Sequence, residues 1–73
     1  MPISLWNNIF MNVAQYHFGE LFVNVEQYEI AGATCWEFYT NDNVCLSDKL
    51  MYDSHLDHDG IPSKDEVRHW LGL

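Results

Sequence analysis

The feature that most constrains the fold is a period-two alternation of apolar and polar residues that begins at position 20. In the segment ELFVNVEQYEI, Leu21, Val23 and Val25 are apolar and mostly polar residues alternate with them. Alternation with this period is typical of a strand that buries one face. Ala31-Gly32 predicts a short turn, after which ATCWEFYT continues as a second strand. We therefore expect an antiparallel hairpin over residues 20–40.

A second turn signal, NDN at residues 41–43, precedes the short segment VCLS, which we predict to be the third strand of a meander. Pairing Ile30 with Ala33 sets Val25 opposite Phe38. A three-residue loop then sets Leu46 opposite Phe38 on the third strand. This register gathers apolar side chains on one face of the sheet, where they can receive helices. The members of this face are Leu21, Val23, Val25, Trp36, Phe38, Val44 and Leu46.

Two helices are expected to flank the meander. From Ser4 to Gly19, apolar residues recur at spacings of three and four, which predicts an amphipathic helix. Near the other end, Ser63 followed by Glu66 is a capping box that begins a second helix. The apolar stripe of this second helix is Val67, Trp70 and Leu71. The expected fold class is α+β, a single domain over residues 1–73 with the order helix, three-stranded antiparallel meander, C-terminal helix (α-β-β-β-α).

Length and composition narrow the functional classes. A chain of 73 residues has little room for a large catalytic cleft, and 48% hydrophobic residues are enough to form a folded core. No apolar run is long enough to span a membrane, and no basic segment marks a signal peptide. Cys35 and Cys45 are interpreted as small buried apolar residues in a reducing compartment. We expect a soluble, cytoplasmic protein that is not an enzyme and has no cofactor.

The segment HLDHDGIPSKDE resembles a calcium-binding loop in part. Counted from His55, it sets Asp57, Asp59 and Glu66 at loop positions three, five and twelve, with Gly60 at six. The first position carries a nitrogen ligand where calcium prefers oxygen, and the turn and capping box explain the same residues. The histidines of the segment match no strong zinc spacing. We therefore predict no metal site and keep a calcium-type site at Asp57, Asp59 and Glu66 as an alternative.

The charge distribution is the most unusual feature. The net charge is −8, and no lysine or arginine precedes Lys49. A negative electrostatic potential over most of so small a protein favours a partner whose surface is positive. Phe22, Tyr28 and Tyr39 should lie on the face opposite the core, where charged residues surround them, as is typical of binding anchors. The predicted partner-binding residues are Glu20, Phe22, Glu26, Tyr28, Glu29, Glu37, Tyr39 and Asp42.

These observations favour a small binding protein. We expect an inhibitor that occupies the basic nucleic-acid-binding surface of a partner protein or complex, a nucleic-acid mimic similar in kind to the anti-CRISPR and anti-restriction proteins of phages. A phage-encoded protein of this kind would act in the host cytoplasm. Direct binding to nucleic acid is not expected, because the acidic surface would repel it. Membrane binding is not expected, because no apolar run is long enough to span a membrane. The alternatives are a calcium-type module, an antitoxin or an immunity protein, and the aromatic residues would also suit a homodimer.

The expected order of elements is also that of double-stranded RNA-binding domains, and the similarity extends no further. Those domains contact phosphates with lysines and arginines, which the first 48 residues lack. The similarity therefore implies nothing about RNA binding.

Overall fold

The computed structural model describes residues 10–73 and contains one antiparallel sheet of four strands in the order β1-β2-β3-β4. The strands are β1 (Phe10–Phe18), β2 (Leu21–Ile30), β3 (Ala33–Tyr39) and β4 (Met51–Tyr52). A 3-10 turn at Asp53–His55 follows β4, and the α-helix α1 spans Lys64–Leu71. The architecture is α+β, with a four-stranded meander and a C-terminal helix.

The hairpin formed by β2 and β3 has the predicted register. Ile30 pairs with Ala33, and Val25 pairs with Phe38. The two central residues of the turn are Ala31, with a φ of 52°, and Gly32, with a φ of 81°. Two left-handed residues in a two-residue loop define a type I′ turn, whose twist matches that of the flanking strands.

The predicted N-terminal helix is wrong over residues 10–18, which form β1. The register of β1 against β2 shifts between Asn12 and Ala14, so that Val13 is an extra residue in a β-bulge. The extra residue interrupts the period-two alternation of apolar and polar residues. Apolar residues on the two sides of the bulge are then separated by three or four positions, as they would be in a helix. Gly19, with a φ of 64°, opens a tight β1–β2 turn instead of ending a helix. The part of the predicted helix before residue 10 lies outside the described residues.

The predicted third strand at VCLS is reduced to a single bridge between Tyr39 and Cys45. The register is as expected, because the Leu46 N–H donates to the Phe38 carbonyl at 2.7 Å. The ladder then breaks and resumes at β4, where Met51 pairs with Trp36. Two residues that we predicted to be buried are exposed because they lie beside this break. They are Val44, at 56% exposure, and Cys45.

The core lies between α1 and one face of the sheet, called here the inner face. Four of the seven residues predicted for this face are buried in the core. They are Val23, Val25, Trp36 and Phe38. Met51 of β4, which we had not predicted, and Val67 of α1 complete the buried cluster, while Leu21 and Leu46 pack at its margin.

The helix α1 begins with the predicted capping box. The Ser63 hydroxyl accepts from the Glu66 N–H at 3.2 Å, and the Glu66 carboxylate accepts from the Ser63 N–H at 2.9 Å. The Tyr16 hydroxyl donates to the Pro62 carbonyl at 2.7 Å and ties β1 to the start of the helix. Across residues 10–73, no helix has the length and apolar character needed to cross a membrane.

Candidate functional site

The face of the sheet that points away from α1, called here the outer face, carries five of the eight predicted partner-binding residues. They alternate along β2 and β3 with the buried residues of the inner face, and each is partly exposed. The five are Phe22, Glu26, Tyr28, Glu37 and Tyr39. Glu26 and Glu37 are directly paired across the hairpin, as the predicted register requires.

The centre of the outer face combines two carboxylates with two phenols. The Tyr39 hydroxyl donates to Glu37 Oε1 at 3.1 Å, and Tyr28 also forms hydrogen bonds with Glu37 and Tyr39. Burial raises the pKa of both tyrosines, and the bond to Glu37 raises both further. The phenols therefore remain protonated donors at any physiological pH. Glu26 Oε2 is buried and has no hydrogen-bond partner.

Side chains next to this centre are ordered by contacts that the sequence did not reveal. His17 stacks on Phe22 with ring centroids 4.1 Å apart and an interplanar angle of 9°. Gln15 Nε2 donates to Asn24 Oδ1 at 2.8 Å, and both amides donate to Asn41 Oδ1. These contacts join β1, β2 and the 41–43 turn, so they depend on a register of β1 that we had not predicted. Because the side chains are already ordered, they lose less conformational entropy when a partner binds.

The other three predicted residues lie at different distances from the outer face. Glu20, in the β1–β2 turn, and Asp42, in the 41–43 turn, line a shallow hollow together with Phe22 at the margin of that face. Glu29 lies on the opposite side of β2, where it accepts a hydrogen bond from Thr34 at 2.8 Å. The structure therefore brings together seven of the eight residues and separates Glu29 from them.

The basic side chains do not neutralise the acidic surface. Lys49 Nζ lies 5.2 Å from the centroid of a Trp70 ring, and Lys64 Nζ lies 5.5 Å from the centroid of the Phe18 ring. Arg68 Nη1 donates to the Leu73 carbonyl at 3.4 Å. Within the part of the chain that the structure describes, no lysine or arginine forms an ion pair with an aspartate or glutamate side chain. The field of the carboxylates is therefore available to a partner.

The residues of the calcium-type alternative are not assembled as ligands. Glu66 Oε1 accepts from His58 Nε2 at 2.7 Å and from the Ser63 N–H, while Asp57 and Asp59 are exposed. Over positions 10–73, no group of three or more His, Cys, Asp or Glu side chains is arranged to hold a metal ion. The geometry gives no reason to prefer a metal-binding function.

A second acidic feature, a groove of about 590 Å³, was missed by the sequence reasoning. Asp53, Asp57 and Asp59 line it together with Thr34 and Trp36. These carboxylates lie about twenty residues after the β3 residues in the chain, and the pairing of β3 with β4 brings the two segments together. The groove extends the acidic surface to the other end of the hairpin, on the side where Glu29 lies.

His58, which also lines the groove, has acceptor groups beside both of its ring nitrogens. Nδ1 lies 3.0 Å from the Asp59 carbonyl oxygen, and Nε2 faces the Glu66 carboxylate. Both partners are acceptors, and the protonated imidazole can donate to both at once. The bond to the Asp59 carbonyl, followed by the bond to Glu66, raises the pKa of His58.

Comparison with known proteins assigns no family to this arrangement. No protein-family model matches the chain, and no curated protein or solved structure matches it. Functional inference therefore depends on the geometry of the outer face and on the distribution of charge.

Proposed function

We propose that the protein is a small acidic inhibitor that binds the basic, nucleic-acid-binding surface of a partner protein or complex, as a nucleic-acid mimic of the anti-CRISPR or anti-restriction type. The observation that carries the proposal is the Glu26–Glu37 pair at the centre of an aromatic face. Its carboxylates take the place of backbone phosphates, because both groups accept charge-assisted hydrogen bonds from arginine and lysine.

The electrostatics of this pair support a cationic partner. Like charges directly opposite one another on a sheet are destabilising. The cost is only partly offset here, because Tyr39 donates to Glu37 while Glu26 Oε2 has no donor. A guanidinium group bound at the exposed oxygens of the pair would relieve the repulsion between the carboxylates.

The aromatic residues supply contact area around the charges. Phe22, Tyr28 and Tyr39 are partly exposed and are held in place by stacking or hydrogen bonds. Tyrosine is enriched at binding hot spots, and aromatic faces attract arginine through cation–π contacts. An ordered aromatic and acidic surface is therefore suited to a basic protein surface.

The cysteines favour binding over catalysis. A nucleophilic thiolate needs a cationic neighbour or a helix N-terminus. Burial raises the pKa of Cys35, and the charge of Glu29 raises it further. Cys45 Sγ lies 3.3 Å from the Ser47 carbonyl and 3.9 Å from the Glu37 carboxylate, and neither group is a cation.

The test compares two double variants with the same change of charge. Glu26→Gln with Glu37→Gln neutralises the centre of the outer face, and Asp57→Asn with Asp59→Asn neutralises two exposed groove carboxylates. Each is immobilised beside the unaltered protein and exposed to nuclease-treated bacterial lysate. We expect the unaltered protein and the groove variant to retain nucleic-acid-binding proteins that duplex DNA or RNA displaces. We expect the outer-face variant to bind the same proteins about tenfold more weakly, the scale for one lost charged contact.

Circular dichroism and thermal unfolding of all three proteins serve as the folding control. Retention that nucleic acid fails to compete with, or equal loss in both variants, would contradict the mimicry proposal. Capture of a single toxic nuclease or other toxin would indicate an antitoxin or immunity protein instead.

A further inference from the structure

The two edges of the sheet differ in how they are protected from pairing with another strand. β4 forms one edge, has only two residues and runs directly into the 3-10 turn. β1 forms the other edge and has nine residues, and among residues 10–73 its paired neighbour is β2 alone. Short length is one of the ways in which proteins protect a sheet edge, and only the β4 edge uses it.

The turn between β1 and β2 defines which backbone groups of β1 point outward. Phe18 and Leu21 flank a two-residue turn, so they form a hydrogen-bonded pair. Hydrogen-bonded and non-hydrogen-bonded pairs alternate in an antiparallel ladder. The N–H and C=O groups of His17 and Gln15 therefore point away from β2. The close stacking of His17 on Phe22 agrees with this, because side chains approach most closely in non-hydrogen-bonded pairs.

The uncharged β1 edge is where a second copy of this acidic chain can approach without charge repulsion. Residues 1–19 contain no Asp, Glu, Lys or Arg, and all eleven carboxylates lie at or after Glu20. Two chains of net charge −8 repel one another on approach through their acidic surfaces. β1 also lacks the lysine or proline that commonly protects an edge, although the bulge at Val13 limits regular pairing to Ala14–Phe18.

We propose that the protein forms a two-fold symmetric homodimer in which β1 pairs antiparallel with β1 of a second copy, with Gln15 opposite the partner's His17. This register uses all the outward groups of both residues, with two hydrogen bonds in each symmetry-related pair. The two sheets become one sheet of eight strands. Because Gln15 and His17 lie on the outer face, the outer faces of the two copies become continuous. The inference does not depend on the proposed inhibitory function.

The first experiment measures the mass of the full chain by sedimentation equilibrium over a roughly hundredfold range of concentration. We expect the mass to rise from 8.6 kDa toward twice that value. Gln15→Lys should raise the dimer dissociation constant by about tenfold or more, because two ammonium groups are then brought together beside the two-fold axis. Asn41→Lys is the matched control, since it changes the charge equally and breaks the same amide cluster but lies off the strand. It should leave dimerisation almost unchanged.

A second measurement uses the unaltered protein and so does not depend on a variant that folds. Amide hydrogen exchange at Gln15 and His17 should be fast at low concentration and slow at high concentration. Raising the salt concentration should strengthen the dimer, because it screens the repulsion between two acidic chains, and should weaken binding to a basic partner. The two proposals therefore fail independently.

A monomeric mass at every concentration would overturn the dimer. Protection of the Gln15 and His17 amides in a monomeric sample would also overturn it, because the edge would then be covered from within the chain. Equal effects of Gln15→Lys and Asn41→Lys would show that the β1 edge is not the contact.

Discussion

Ala31 adopts a backbone conformation that its residue type disfavours. Its φ of 52° lies in the left-handed region, which costs a residue with a Cβ about 1–2 kcal/mol. The neighbouring Gly32 adopts a similar conformation without this cost. Core packing offsets this cost, because the type I′ turn sets the register that places Val25 opposite Phe38 in the core.

Ala31→Asn should therefore stabilise the fold. Asparagine tolerates the left-handed region, and Asn-Gly is the preferred sequence of a type I′ turn. We expect the free energy of unfolding, measured in urea, to rise by about 0.5–1 kcal/mol. Ala31→Val is the opposing control and should lower it, because a β-branched residue is disfavoured at positive φ. A loss of stability in Ala31→Asn would mean that the turn has a different conformation.

At the scale of elements, we predicted correctly those helices and strands whose sequence signals lie within a few residues of one another. The β2–β3 hairpin and α1 are encoded by alternation, a turn and a capping box within a few residues, and these were read correctly. β1 was not, because the bulge at Val13 disguises its period, and only pairing with β2 determines its structure. The amide cluster and the acidic groove were missed for the same reason, since each joins segments that are distant in sequence. The outer-face residues of β2 and β3 were found because the hairpin register was correct.

The capping box at the start of α1 is stabilised by a pH-sensitive hydrogen bond between His58 and Glu66. The pKa of His58 is raised above its ordinary value of 6.5. The contribution of His58 to folding stability is therefore complete below pH 6.5 and is lost as pH rises through the folded-state pKa. The pKa of Glu66 is lowered from 4.5, first by the Ser63 N–H and then by His58. Its contribution is present above pH 4.5 and is lost as pH falls through the folded pKa. Both contributions are complete between these two reference values.

We therefore expect His58→Gln to destabilise the protein most between pH 4.5 and 6.5. The difference from the unaltered protein should shrink at alkaline pH, where the imidazole is neutral. Urea unfolding across the pH range measures this difference, and His69→Gln, on α1, is a control for the loss of another exposed histidine. A difference that is independent of pH would show that the imidazolium contact does not form in solution.

At the scale of the whole molecule, excess negative charge destabilises the compact state. The carboxylates repel one another, and the described lysines and arginine lie against aromatic rings or a carbonyl group instead of carboxylates. The core and the hairpin must offset this repulsion. A mixture of both signs would stabilise the isolated chain better.

Sodium chloride should therefore stabilise the protein. Raising it from about 10 mM to about 1 M shortens the Debye length from about 30 Å to about 3 Å. We expect the free energy of unfolding to increase by on the order of 1 kcal/mol, the scale of a few exposed charge pairs. A variant with Asp53→Asn, Asp57→Asn and Asp59→Asn should start from higher stability and respond less to salt. Stability that does not change with salt would contradict this balance of charges.

The contrast between the two cysteines makes the protein easy to label at one position. Cys35 is buried and Cys45 is exposed, and the chain has no other thiol. A maleimide dye would therefore attach at Cys45, next to Glu37 on the margin of the outer face. Its fluorescence anisotropy would report the arrival of a partner without any engineered residue.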